Sequence, residues 1–185
     1  MTAEKLQCEN EIKLQFADAI MALSNKMAYD KITVSAIVEA SGLSRATFYR
    51  HFKDKQDLTA WIFIFGCRMR DSRPNMEDPY LRTVDACGAI KENLVFYKKA
   101  LMSESQNSLI EAMYEGFVRW FEKVIKSELK VDTLSEEMDF ALRYHALALV
   151  YANRDWVAKG APGTPEHRAH LICSSVPHIL EPYIK

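Results

Sequence analysis

A chain of 185 residues that is 49% apolar and 26% charged has the make-up of an ordinary soluble globular protein, long enough to bury a proper core. No uninterrupted apolar run approaches the roughly 20 residues of a membrane span, and the opening MTAEKLQCENEIK bears acids where a secretion signal would be basic and then apolar, so a cytoplasmic protein with no membrane partner is expected. Cys8, Cys67, Cys87 and Cys173 show no C-x-x-C spacing, which argues against a zinc knuckle or a disulfide framework and leaves them as free thiols.

Six Gly and six Pro, against abundant Ala, Leu, Met, Glu and Lys, favour helix throughout, and the expected fold class is all-α. Ile12, Phe16, Ala19, Ile20 and Leu23 recur at spacings of three and four and predict an amphipathic helix from about Lys5 to Met27. Tyr29, Asp30 and Lys31 break that pattern. Thr33 can then cap a short helix running to about Ala40, because its hydroxyl can accept from an orphan amide of the first turn. Gly42 suits the left-handed conformation that ends a helix, and Ser44, two residues on, can cap the next one, RATFYRH. Two short helices joined by a three- or four-residue turn containing Gly make a helix-turn-helix, with Ala36, Ile37, Leu43, Phe48 and Phe52 available to pack them together and onto the first helix.

Asp54 and Asp57 open a fourth helix that carries Leu58, Trp61, Ile62 and Phe65 to about Arg70, and Ser72, Arg73 and Pro74 mark its end. Further helices are predicted over about 78–90, 93–104, 107–129, 135–159 and 165–181, about nine in all, with Ser135 and Thr164 as caps and GAPG at 160–163 as a turn. The natural division is a three-helix helix-turn-helix unit at 1–53 and a larger helical unit at 54–185.

A formal net charge of −1 does not suggest nucleic acid, but its distribution does. Between Ser44 and Lys55 stand Arg45, Arg50, Lys53 and Lys55 against the single acid Asp54, a basic patch on a nearly neutral body. A recognition helix of about eight residues is about 12 Å long, matching the width of a B-DNA major groove. Arg45, at its start, is placed for a bidentate contact to guanine, Ala46 allows close approach, and Thr47 can meet a thymine methyl or a phosphate.

The string TVSAIVEASGLSRATFYRHFKDKQDL, from Thr33 to Leu58, closely resembles the DNA-binding signature of the TetR family of bacterial regulators, without a gap over 26 residues. Ser41 stands where that family often has Ala. The resemblance implies that Thr33, Ser44, Tyr49, His51 and Lys55 clamp phosphates, and that the last two helices of two copies form a four-helix bundle. On that model Leu142, His145, Leu149 and Trp156, with Leu171, Ser174 and His178, face the partner of a homodimer. The stretch from Ala148 to Ile172 also resembles the C-terminal part of a branch that includes regulators of dihydroxyacetone kinase operons, on the strength of one Trp, one Gly and a capped helix.

Trp61, Phe65, Phe96, Tyr97, Met113, Tyr114, Phe117 and Trp120 form more aromatic and Met surface than a small core needs, and an apolar or aromatic small-molecule effector among them is expected, with solid core as the alternative. The expected function is a sequence-specific regulator, a repressor released from a palindromic operator on double-stranded DNA by that effector. The alternatives are an activator, control by a protein partner, or a helical binding protein lacking an operator. No enzyme, metal or cofactor is expected: G-x-S-x-G, Walker A and G-x-G-x-x-G strings are absent, and His167 and His170 suggest no third metal ligand.

Overall fold

The structure, a computed structural model, describes the backbone of residues 3–70 and 78–184 and the side chains of residues 9–65, 78–105 and 108–184. The expected stop at Ser72–Pro74 and the thiols of Cys8 and Cys67 lie outside the described residues. The described elements are ten α-helices: α1 (Ala3–Lys26), α2 (Val34–Ser41), α3 (Arg45–His51), α4 (Lys55–Arg70), α5 (Pro79–Glu92), α6 (Leu94–Leu101), α7 (Gln106–Leu129), α8 (Glu136–Ala158), α9 (Pro165–Ser174) and α10 (Glu181–Ile184). A 3-10 turn at Tyr29–Lys31 joins α1 to α2, and another at His178–Leu180 precedes α10.

Local chemistry sets most of these boundaries. Thr33 accepts from the amide of Ala36, Ser44 from Thr47, Ser135 from Met138 and Thr164 from His167, each hydroxyl satisfying a donor of the first turn. Gly42, at φ 70°, ends α2 in the left-handed region that only glycine enters without cost. At the start of α4 the Asp54 carboxylate accepts from the Asp57 amide at 2.8 Å while the Asp57 carboxylate reaches back to the Lys53 amide at 3.0 Å.

The end of the chain differs from the single helix expected over 165–181. α9 stops at Ser174, and Pro177, which lacks an amide and disfavours helix in the residue before it, forces a break before the short turn of α10.

The first three helices close around Phe16, Ile20, Ile37, Phe48 and Phe52, all buried, with the Phe16 and Phe48 rings edge to face at 5.2 Å. α4 leaves this cluster and runs along α7, where it makes its most extensive packing, and α5 packs along α9. Gly116 on α7 allows the close approach, since a Cβ there would lie 2.5 Å from Ile64 Cδ1 on α4. α8 covers α6 and α7 with Met138, Leu142, Ala146, Val150 and Val157 buried.

Polar links tie α1 and the turn that follows it to the rest. The buried Tyr29 hydroxyl bonds to Thr59 of α4 at 2.9 Å, Asp30 accepts from the Glu104 amide and the Ser105 hydroxyl at the head of α7, and Lys99 of α6 donates to the Ser24 carbonyl.

Candidate nucleic-acid interface and ligand cavity

α3 is anchored by one side and offers the other. Phe48 is fully buried, whereas Arg45, Ala46, Tyr49 and Arg50 are exposed and Thr47 is half-buried. Arg45 is held in place before any DNA arrives: its guanidinium donates to the Ser35 hydroxyl at 3.2 Å and the Tyr49 hydroxyl at 3.4 Å, and lies 5.6 Å from the Tyr49 ring centre. These are long, solvent-exposed bonds, cheap to exchange for a better acceptor. Ser44 shares a 2.8 Å hydrogen bond with the Thr47 hydroxyl as well as capping α3, so Thr47 presents its methyl more readily than its oxygen. Thr33 and Ser44 are both exposed at the N-termini of α2 and α3, where unpaired amides attract anions.

Two of the expected phosphate clamps stand differently. Lys55 Nζ donates to the carbonyls of Tyr29 at 2.8 Å, Ile32 at 2.9 Å and Asp30 at 3.3 Å, and sits 4.6 Å from the Tyr29 ring centre. All three of its donors are therefore spent fastening the turn before α2 to the head of α4, and burial draws its pKa down. His51 turns its Nε2 inward, where it meets no hydrogen-bond partner among the described residues, and burial, with the nearby charges of Lys13 and Arg50, draws its pKa below the usual imidazole value. The outward cations of the patch are Arg45, Arg50 and Lys53. Ser35 is a surface group that the sequence did not single out, although it was findable as the second residue of a capped helix beside the recognition helix.

Four of the expected effector residues, Trp61, Phe65, Phe117 and Trp120, border open space. Phe117 and Trp120 of α7 line a cavity of about 90 Å³ together with residues of α4, α5, α8 and α9, among them Phe63, Arg82, Phe121, His145 and Asn153. Trp61 and Phe65 line, with Trp120, a separate groove of about 310 Å³ between α4 and α7, and Ile64 borders both spaces. Phe96, Tyr97 and Met113 are buried. Tyr114 is half-buried and its hydroxyl bonds to Arg143 on α8.

The dimer-face residues divide in the same way. Leu142, His145 and Trp156 are buried within the chain itself, and Trp156 spends its indole on the Pro162 carbonyl at 2.9 Å, closing the GAPG turn. Leu149 is half-buried, whereas Leu171, Ser174 and His178 are exposed. The unpartnered face of α8 is a stripe the sequence reading did not choose: Phe140, 70% exposed, Tyr144, 65% exposed, Leu147 and Tyr151, at the four-three-four spacing of a helix seam. Beside it Ala148, Ala152 and Leu171 line a shallow groove of about 240 Å³ between α8 and α9.

Among the described residues no group of three or more His, Cys, Asp or Glu side chains is gathered to hold a metal ion, and no helix is long and apolar enough to cross a membrane.

Comparison with known proteins joins these halves. The family model for bacterial regulatory proteins of the tetR family matches residues 17–60, the region of the helix-turn-helix, and a model described as a transcriptional regulator C-terminal region matches residues 77–177. The HTH-type dhaKLM operon transcriptional activator DhaS of Lactococcus lactis subsp. lactis (strain IL1403) is 29% identical over 163 residues, covering 78% of each chain. A solved structure of a dihydroxyacetone kinase operon activator DhaS superposes with a TM-score of 0.54 at 23% identity, covering 94% of this chain and 98% of that one, a likeness of fold. A capped recognition helix on a helical body, with both halves matched in order, identifies the chain as a DNA-binding transcriptional regulator, not an enzyme, that belongs to the TetR family.

Proposed function

We propose that the chain works as a homodimer that binds an inverted-repeat operator through one α3 per half-site and changes its grip when a small molecule enters the bundle cavity. The observation that carries this reading is α3 itself: a seven-residue helix, capped by Ser44 and pinned by Phe48, that holds Arg45 outward at its first position. Phosphate-facing caps and the exposed cations Arg50 and Lys53 fix the register, and Arg45, Ala46 and Thr47 read bases.

The second copy covers the Phe140, Tyr144, Leu147 and Tyr151 stripe. A row of large apolar side chains this exposed marks an interaction surface, and Ala148 and Ala152 beside it let a partner helix approach closely.

Ile64 supports the coupling, because it borders the cavity on one side and meets Gly116 on the other. A molecule that displaces it moves α4, and α4 carries Lys55 and Thr59, which grip the turn ahead of α2. Half-sites lie about 34–36 Å apart, so a tilt of each DNA-binding unit takes one recognition helix out of register with its groove. The effector must prefer one of the two arrangements, since equal affinity shifts nothing.

Release of this kind makes a promoter-occupying chain a repressor. The Lactococcus relative is named an activator, and that favours a second reading in which the bound dimer promotes transcription. Crosslinking the chain to DNA in its own cells and sequencing what it retains tests both: discrete sites sharing an inverted repeat are expected. A reporter driven by such a site falls with a repressor and rises with an activator. Retention spread evenly over the genome would overturn operator binding altogether.

A further inference from the structure

The cavity between α4, α5, α7, α8, α9 and α10 has two unlike walls. α7 gives it Phe117, Trp120 and Phe121. α8 gives it His145, Leu149 and Asn153, spaced by four so that all three stand on one face of the helix. His145 is only 6% exposed and lies with its ring 5.5 Å from that of Phe121, yet it has no hydrogen-bond partner among the described residues. A neutral imidazole carries one donor and one acceptor, and side-chain polar groups this deeply buried are nearly always paired. Asn153, 4% exposed, is half-satisfied: its Oδ1 accepts from Arg168 at 3.2 Å, and its amide protons meet no described residue. The side chains lining the space include one guanidinium, Arg82, and no carboxylate.

We propose that this cavity holds a small oxygen-bearing molecule, uncharged or singly anionic, whose hydroxyl, carbonyl or carboxylate oxygens bond to His145 and Asn153 while its carbon atoms lie against Phe117 and Phe121. This assignment rests on the reading of the chain as a ligand-responsive regulator, and it replaces the apolar or aromatic effector that the sequence suggests. A cavity of about 150 Å³ admits benzene, so about 90 Å³ suits a compound of about four heavy atoms. A cation is disfavoured, because the lining offers it no carboxylate to pair with. An all-carbon ligand is disfavoured, because it would leave His145 and the Asn153 amide without partners. His145, Leu149 and Ile172 also line the groove between α8 and α9, so the two spaces share a wall.

The test uses the full-length chain labelled with nitrogen-15 and four probes: ethylene glycol, uncharged; glycolate, singly anionic; ethanolamine, cationic; and benzene, apolar. Binding is read by NMR at the His145 imidazole and the Trp120 indole, a method suited to a molecule whose few atoms limit Kd to about tens of micromolar at best. The expected result is a saturable shift with ethylene glycol, glycolate or both, and the stronger of the two gives the preferred charge. Ethanolamine and benzene leave both signals in place. His145→Leu and Asn153→Leu, read at Trp120, each weaken binding at least about tenfold while the unfolding midpoint holds. Saturation by benzene alone, silence with all four probes, or unchanged affinity in both variants would overturn the assignment. Operator affinity is measured separately: a probe that binds at His145 without changing it refutes ligand control of DNA binding and leaves the ligand class standing.

Discussion

Replacing Lys55 by Met separates a structural lysine from a phosphate clamp. Met keeps the length of the stem and removes the ammonium, which in the native chain donates to Tyr29, Ile32 and Asp30 and sits over the Tyr29 ring. Charge-assisted hydrogen bonds contribute about 1.5–3 kcal/mol each when buried; this ammonium is only half-buried, so about 1 kcal/mol for each of the two short bonds is a fair discount, and the third is long. The cation over the ring adds about 0.5–1 kcal/mol. Lys55→Met is therefore expected to destabilise the fold by about 2–3 kcal/mol. For a chain of this size that lowers the thermal midpoint by about 5–10 °C, followed by circular dichroism at fixed protein concentration. Well below that midpoint, the salt dependence of operator binding should keep its wild-type slope, because no phosphate contact has been removed. Unchanged stability with a slope reduced by about one unit would refute the assignment and return Lys55 to the DNA face.

Arg45→Ala should cost about 1–3 kcal/mol on the operator and relax preference at one base pair per half-site, measured by competition with a panel of single-substitution duplexes; equal losses on operator and random DNA would remove Arg45 from base reading. Ser44→Ala removes the cap of α3 and should lower stability by about 1 kcal/mol in urea unfolding, with a larger loss of DNA affinity than of fold. Tyr144→Glu combined with Tyr151→Glu places charge on the exposed α8 stripe and should yield a folded monomer in sedimentation velocity; a dimer of wild-type strength would move the interface elsewhere. Gly116→Val must push Ile64 aside, and should shift operator affinity severalfold without abolishing folding, a change that fluorescence anisotropy would register.

Features readable in the sequence were those set by neighbours a few residues away. Each cap hydroxyl bonds an amide three positions on, and Gly42 answers to its own φ, so Thr33, Gly42, Ser44, Ser135 and Thr164 place helix ends without knowledge of the rest. Pro177 was equally legible, and a proline three residues past Ser174 is the ordinary sign of a stop. Long-range placement was not legible. α8 bears two apolar stripes, Met138, Leu142, His145 and Trp156 on one side and Phe140, Tyr144, Leu147 and Tyr151 on another, and periodicity says that each is a face without saying which meets the chain's own core. Lys55 reads as a surface cation until the carbonyls 23 to 26 residues upstream arrive around it. The cavity depends on six helices at once, so nothing in the sequence around Phe117, which lines it, sets that residue apart from the fully buried Met113 on the same helix.

Operator recognition by paired α3 helices is tested most directly by selecting bound duplexes from a random pool with the purified chain at two salt concentrations. The account predicts enrichment of an inverted repeat whose half-site centres lie about 34–36 Å apart, retained at the higher salt, with preference relaxed at one base pair per half-site in Arg45→Ala. Recovery of no preferred sequence from a folded dimer, or of a motif that Arg45→Ala leaves unchanged, would contradict it.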